Sequence, residues 1–564
     1  MIGALIVMAA ASSLLALGLT SSAGAAQSRV AAHPAVHSNG SGCDSWNGGS
    51  GPWTDASNWS TGSVPTAADN ACISAAGTYT VTLEGGQAVN SLIVGGGASG
   101  TQTLAINSFN GVGSSLSFQA NSEIQVNGAI NLNSSGSQGN AANLDAGADT
   151  GATIVNDGTL DDNGIAGQFG CNITNDADGS MTVAATSTIE GSFTFANSGS
   201  FTVSAGAELE GSGLGFTQSG GTFDNAGTAL LQGANFTQSG GADTGNPIQL
   251  DGNETFDDSA GTGSLEIEGV NTTDGTIPAG QTVTLVSSPG VGTEMNVSPS
   301  LTNDGTLVMT STGTSSSNNS VSSGVLTNNS TIDVSGTNSV DTFSGIVIDN
   351  ESSGVLDVTN PGSEFSNGTL NNEGTMDVGA GAGVTLNDEN YEVTVQSGKT
   401  AEVTGAGSVA LSGSPLQVTT VGKLPKAKTI FTLFDTSGGV SGTFGSLDFP
   451  AAAYNVAYTP TTVTLTAQKP FKAKAKAVKA TAGTSATVTV ATLSKLPASG
   501  TITASINWGD GSVASAGTMT TSGNKGTVAG THTYASAGHY TVTTTITDSD
   551  GTIFTVTGKA TVKS

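Results

Sequence analysis

One short phrase returns between about residue 95 and residue 412: an Asn, then Gly or Ser, then Thr or Ser, usually followed by an apolar residue. It stands at Asn156-Asp157-Gly158-Thr159-Leu160, Asn197-Ser198-Gly199-Ser200-Phe201, Asn225-Ala226-Gly227-Thr228, Asn303-Asp304-Gly305-Thr306-Leu307, Asn328-Asn329-Ser330-Thr331-Ile332 and Asn372-Glu373-Gly374-Thr375-Met376. Neighbouring copies mostly lie about 20 to 25 residues apart. A second phrase, Phe-Thr-Gln-Ser-Gly-Gly, opens at Phe216 and again at Phe236. A period this short belongs to a solenoid, whose units stack on one another rather than fold alone.

Around the phrases polar and apolar residues alternate, as in Leu356-Asp357-Val358, which is the period of a strand with one buried face. The expected fold class is all-β, with residues 95–412 forming a right-handed parallel β-helix of short strands joined by turns. Leu160, Phe201, Leu307 and Ile332 are expected to point into its core, and Phe216 and Phe236 to stack in successive coils. Asn and Gly are expected to supply left-handed backbone at the corners. One coil buries too few aliphatic side chains to offset the entropy of ordering its backbone, so stability has to grow with the number of neighbours. About fourteen coils at roughly 4.8 Å each make a rod on the order of 70 Å long. Two other architectures compete. A stack of β-sandwich repeats would need a longer period, and a disordered chain would lack Val, Leu and Ile at regular spacing.

Composition agrees with an array. The chain has 564 residues, too many for one ordinary core; 81 are Gly and only 10% are charged, so amides and hydroxyls must keep it in solution. Its formal charge is −29, and no Lys or Arg occurs between Arg29 and Lys399. Phosphate backbones are held by clustered basic groups, so nucleic acid is excluded as a partner. Anionic polymers could approach this body only through bridging divalent cations.

The flanks differ from the repeats. Residues 1–25 read as a signal peptide: 2–19 is an apolar run and Ala23-Gly24-Ala25 an Ala-x-Ala type cleavage site, although no Lys or Arg precedes the run. The run also has the length of a membrane span, so an uncleaved anchor stays open. Residues 26–42 are expected to be disordered. Residues 43–94 hold three of the four tryptophans, Trp46, Trp53 and Trp59, and are expected to cap the open end of the solenoid. Cys43 and Cys72 flank this cap and form the candidate disulfide, while Cys171 inside the repeats is expected to be a small buried hydrophobe. Residues 413–467 lose the phrase, gain Phe431, Phe434, Phe444, Phe449, Tyr454 and Tyr458, and are expected to form a C-terminal cap of hairpins. Residues 468–479 carry Lys469, Lys472, Lys474, Lys476 and Lys479 and read as a solvated linker, or else as an electrostatic anchor to anionic wall polymers. Alternation at 486–490, 502–506, 540–546 and 552–556 predicts a separate small antiparallel β-sandwich over 480–564.

Three stretches resemble known families. Trp508-Gly509-Asp510-Gly511, followed by His532-Thr533-Tyr534, Gly538, Tyr540, Val542 and Asp548, resembles the PKD family of extracellular Ig-like domains, with that family's aromatic-Asp-Phe-Gly-Asp-Gly segment shortened. The resemblance implies an extracellular spacer or a binder of protein or glycan. Residues 43–73, with Trp53, Asn58-Trp59, Gly62, Pro65 and Asp69, resemble the start of bacterial secreted β-helix proteins. The repeat phrases resemble those of autotransporter-like and filamentous-haemagglutinin-like surface proteins, which implies surface display or adhesion as the usual employment of such rods.

Catalytic chemistry is sparse. Pectate-lyase-like and polygalacturonase-like β-helices abstract a proton with a basic side chain or hydrolyse with paired carboxylates and supporting groups. All four histidines, His33, His37, His532 and His539, fall outside the repeats, and Lys399 near their end is the only basic residue there. No basic group is expected in a solenoid groove. Asp161-Asp162 and Asp257-Asp258 are adjacent carboxylates, but neighbours on a strand face opposite ways, and turns are the simpler reading of both. Neither a Ser-His-Asp site nor a phosphate loop can be assembled. For structural calcium the candidate ligands are Asp548 and Asp550 in the terminal domain, with Asp176 and Asp178 a second pair; neither has the twelve-residue loop ending in Glu. No other cofactor is expected. Trp508 and His532 are expected to serve structure first. The expected function is non-catalytic: a secreted or cell-surface structural or adhesive rod presenting the terminal domain to an extracellular glycan or protein. The alternative is a polysaccharide-active β-helix enzyme working with carboxylates alone.

Overall fold

A computed structural model describes residues 42–564 except 109–111, 135–140, 148–150, 165–166, 191–192, 234, 253–254, 313–317, 337–339, 397–398, 423–424, 450–453, 469–470, 497–500 and 549–552. The expected signal segment, nearly all of 26–42, His33, His37, Lys469 and Asp550 lie outside the described residues. Strands make up 67% of the chain, and the described residues contain no α-helix.

The body is a parallel β-solenoid of about 15 turns. In most coils three strands follow one another, and each pairs with its counterpart three strands later, so three ladders run along the stack. Register is kept over long runs. On one ladder Leu209, Ala229, Ile248, Leu265, Val283, Leu307, Ile332, Leu356, Met376 and Val403 lie over one another, all buried. On a second, Leu104, Ile130, Leu160, Met181, Phe201 and Phe223 do the same. Leu160, Phe201, Leu307 and Ile332 therefore point inward, as the alternation required. Parallel in-register pairing sets like over like, and aromatic rings stack: Phe216 on Phe236 at 5.6 Å and Phe343 on Phe365 at 4.7 Å.

The Asn of the phrase does not turn the corner. Asn156, Asn175, Asn197, Asn303, Asn328, Asn350 and Asn372 end their strands with the side chain inward, each at most 1% exposed. Within two runs the amides donate from one coil to the next: Asn156 to Asn175 and Asn175 to Asn197 at 2.7 Å, then Asn303 to Asn328, Asn328 to Asn350 and Asn350 to Asn372 at 2.8 Å. The same nitrogens also reach backbone carbonyls, as Asn303 does at Thr331, 2.8 Å. A buried amide is tolerated when its donors and acceptor are used, and stacking identical residues achieves this for Asn175, Asn328 and Asn350 inside the runs. The phrase's Gly serves close approach instead of a left-handed φ. A Cβ at Gly199 would stand 2.2 Å from the Asp176 carbonyl oxygen, and one at Gly374 would stand 2.3 Å from those of Glu351 and Gly354. Left-handed backbone falls elsewhere, for instance at Asn127 and Asn367.

Parallel pairing already begins inside 43–94, where Asn70–Ile73 pairs with Ser91–Val94, and continues into 413–467, where Gly439–Thr443 pairs with Ser408–Ser412. At the first end Trp46, Trp53 and Trp59 are buried edge to face, with Trp59 Nε1 donating to the Trp53 carbonyl at 2.8 Å. Cys43 and Cys72 are disulfide-bonded; Cys171 is free and buried. At the other end Thr462–Ala467 runs antiparallel to both Ile430–Thr436 and Tyr454–Tyr458 and ends that ladder.

The terminal unit has one sheet of four strands and one of five around a single core that includes Trp508, Ile506, Val490 and Val542. It starts before residue 480. Lys472–Ala475 pairs with Ala486–Ser494, Val478–Thr481 pairs with Ile553–Lys563, and Phe471 is buried 4.3 Å from Phe554. Two stretches of the segment expected to be a solvated linker, 472–475 and 478–479, are thus strand. The Lys-Ala alternation has the strand period, with lysines outward and alanines half-buried inward, and the density of charge obscures that period in the sequence.

Candidate functional site

Two places gather polar side chains that could meet a ligand: the Trp508–His532 end of the terminal unit and a groove near the end of the solenoid. At the first, Trp508 is fully buried and its Nε1 donates to the Ser515 hydroxyl at 2.9 Å. The His532 ring stacks on it at 4.7 Å, with planes 6° apart, and Tyr534 meets His532 edge-on at 4.6 Å. His532 Nε2 lies 2.7 Å from Asp510 Oδ2, and Asp510 Oδ1 accepts the Ser512 hydroxyl at 2.6 Å and its amide at 3.2 Å. Desolvation pushes the Asp510 carboxyl up, but the bonds from Ser512 and His532 outweigh it and hold the group at about 2. The Ser512 hydroxyl is bonded to the carboxylate and not to the imidazole, so a Ser-His-Asp relay is not formed. Trp508 and Tyr534 are buried in the core of this unit, and the His532 ring contacts both. His539 is exposed on its strand opposite Thr561.

The groove is open, has a volume of about 520 Å³, and is lined by Glu373, Thr394, Gln396, Lys399, Glu402 and Thr404 among others. Lys399 is held beside Gln396, with which it exchanges backbone hydrogen bonds of 2.9 and 3.0 Å. This corrects the expectation that no basic group lies in a solenoid groove; the groove is lined by residues from separate strands, Glu373, Thr394 and Thr404 among them, and spacing alone does not reveal that they meet. Partial burial, and then Asp435, raise the Glu402 carboxyl. Beside the groove runs a column of outward aspartates, Asp333, Asp357 and Asp377, stacked in register on consecutive coils and leading to Thr404. Burial and then its two neighbours raise Asp357. No lining side chain is aromatic, so a sugar ring would find hydrogen bonds and charge there but no stacking platform.

The other residues singled out in the sequence disperse. Asp161-Asp162 and Asp257-Asp258 lie in strands, Thr159–Asp162 and Thr255–Glu268, rather than turns, because inward polar columns accept carboxyls where the apolar pattern lapses. Asp162 and Asp258 face inward, at 0% and 1% exposure. The Ser187 hydroxyl and the Gly164 amide donate to Asp162, whose carboxyl burial nevertheless pushes up to about 6. Asp176 belongs to a turn closed by the Gly179 amide on its carbonyl at 2.8 Å. Asp548 ends Gly538–Asp548, opposite Ile502. Among the described residues no three His, Cys, Asp or Glu side chains converge as a metal-holding group. No protein-family model and no curated protein matches this chain.

Proposed function

We propose that this chain is a non-catalytic, secreted or surface-displayed structural and adhesive rod, with the solenoid as stalk and a PKD-like Ig domain as its binding end. The observation that carries the reading is the division of labour between body and end. Most inward positions of the body are filled by apolar columns and amide ladders, which builds length and stiffness. The residues from 468 onward hold nine of the 14 basic residues but three of the 43 acidic ones. Lys472 and Lys474 on one strand, Lys476 after it and Lys479 on the next strand are all exposed. Such a concentration of positive charge suits an anionic extracellular polymer, contacted mainly by charge and therefore weakened by salt. The PKD resemblance is supported by Gly509 and Gly511, both left-handed, which set Asp510 against His532.

The deciding experiment locates the protein in medium, wall and membrane fractions of producing cells, then offers residues 468–564 and the solenoid separately to wall polysaccharide and intact cells. Salt-sensitive binding by the terminal unit alone, lost when the four exposed lysines become Gln, is the expected result. A polysaccharide-active enzyme is the second reading, favoured by one observation: Glu373, Glu402 and Lys399 line the same groove. Sugar release by the whole chain that disappears in Glu373→Gln or Glu402→Gln would establish the enzyme instead.

A further inference from the structure

Midway along the solenoid the inward columns change character. Phe223 is followed one coil later by Asp243, and the amide column Asn197, Gln218, Gln238 is followed by Asp258. Pairing slips between Gln238 and Ser239 and again between Ser239 and Ala242, where the chain rounds this corner. Gln238 is 0% exposed and Asp258 1%. Both carboxylate oxygens of Asp243, both of Asp258 and both polar atoms of Gln238 are buried, and none has a hydrogen-bond partner among the described residues. The Gln238 side chain lies beside the Asp243 carboxyl without the geometry of a hydrogen bond, and the two carboxyls are near enough to repel.

The backbone is drawn back around this cluster. A Cβ at Gly261 would stand 2.5 Å from Gln238 Nε2, and one at Gly263 would stand 2.5 Å from the Asp243 Cβ. Opposite Gly263, one coil further on, the buried Gln281 amide is also without a partner among the described residues. The repeats around the cluster offer no positive group, since no Lys or Arg lies between Arg29 and Lys399 and no His between His37 and His532. Two buried carboxylates without a counter-charge are costly to keep, so something positive has to join them.

We propose that Asp243, Asp258 and the side-chain oxygen of Gln238 bind a divalent, oxygen-seeking cation of the calcium class. Carboxylates, an amide oxygen and nearby carbonyls are the donors such an ion takes in irregular geometry. Cys and His, the donors that would select zinc or copper, are missing from the cluster. The rival occupant is a proton, because burial pushes each carboxyl up to about 7. The ion would bridge consecutive coils where the apolar columns lapse.

The test uses the full chain, stripped with chelator, dialysed, and titrated with calcium chloride, with magnesium chloride as a second arm and sodium chloride of matched ionic strength as control. Equilibrium dialysis counts bound ions and thermal unfolding reads stability. The wild type is expected to bind one more calcium than Asp243→Asn or Asp258→Asn and to unfold at a higher temperature as calcium rises. In chelator the order should reverse, with the Asn variants outlasting the wild type because a buried charge is gone. Gln238→Leu, which leaves both carboxylates in place, should weaken calcium binding about tenfold and covers the case in which an Asn variant fails to fold. Equal stoichiometry and equal calcium response in wild type and variants would overturn the proposal. So would a wild type indifferent to both metals, with the Asn advantage growing as pH rises, which would mean that a proton holds the pair.

Discussion

At Asn328 the side-chain oxygen accepts from Asn303 at 2.8 Å, and the nitrogen gives to Asn350 at 2.8 Å and to the Val355 carbonyl at 3.1 Å. Asn328→Leu keeps the volume and strands these partners, and since each orphaned buried group costs about 1–3 kcal/mol we expect a loss of about 3 kcal/mol in urea unfolding. Asn329, its half-buried neighbour in the same phrase, gives its side-chain amide to Asp304 rather than to the buried ladder; Asn329→Leu should cost less than about 1 kcal/mol. Equal effects would mean that the ladder does not stabilise the coils. Asp162 makes a prediction of opposite sign. Its folded-state carboxyl is raised to about 6, so the folded chain holds this proton more tightly than the unfolded one. That contribution is complete below about pH 4 and is lost as pH rises through about 6. Asp162→Asn should therefore gain on the wild type across this window and lead it by up to about 3 kcal/mol at pH 8, read as the difference in unfolding midpoint against pH. A difference independent of pH would refute the assignment.

Among the elements, Lys472–Ala475 is the one whose nature changes how the chain should be cut. It is an edge strand of the terminal unit, and Phe471 just before it packs on Phe554. A fragment beginning at residue 478 discards both. Residues 468–564 should fold as an independent unit, whereas 478–564 should lose about 3 kcal/mol or more, the cost of deleting a buried aromatic with its strand. Thermal unfolding of the two fragments checks this, and identical midpoints would show that the strand belongs to neither core. The short solenoid strands were easier to foresee, because apolar alternation and the returning Asn mark each one. The long irregular runs Asn235–Gly245 and Thr255–Glu268 were not. They bend round a corner, so their side chains change face within one strand and no single period describes them.

For the whole molecule, in-register stacking makes coils interchangeable. Removing residues 329–350 would join Asn328 to Glu351 and bring Thr306–Ser311, Asn319–Ser322 and Val325–Asn328 against Val355–Val358, Gly362–Ser366 and Thr369–Asn372, with amide over amide and aliphatic over aliphatic. We expect this deletion to fold with an unchanged strand signal in circular dichroism and with modestly lower stability, as for a linear array that has lost one unit. Removing only 329–339 should abolish folding, because inward and outward positions no longer align. If both deletions fold equally well, register is not what holds the stack.

Much of this architecture was readable from residue order alone. A period near one coil, strand alternation within it, tryptophans at one end and aromatics at the other are local patterns, and the physics of burial reads local patterns directly: Leu160, Phe201, Leu307 and Ile332 could face only inward. What needed three dimensions was every role set by the coil above or below. An Asn in a polar phrase looks like a turn until its neighbour 22 residues away is placed over it, when it becomes a link in a buried ladder. The phrase's Gly looks permissive until a carbonyl of the previous coil is found where its side chain would be. Lys399 entered a groove beside Gln396, and Asp243, Asp258 and Gln238 came to one corner through two register slips, and no spacing rule contains either. Alternation is a property of one strand; contact between coils is a property of the stack, and it depends on how many residues each turn spends in getting back.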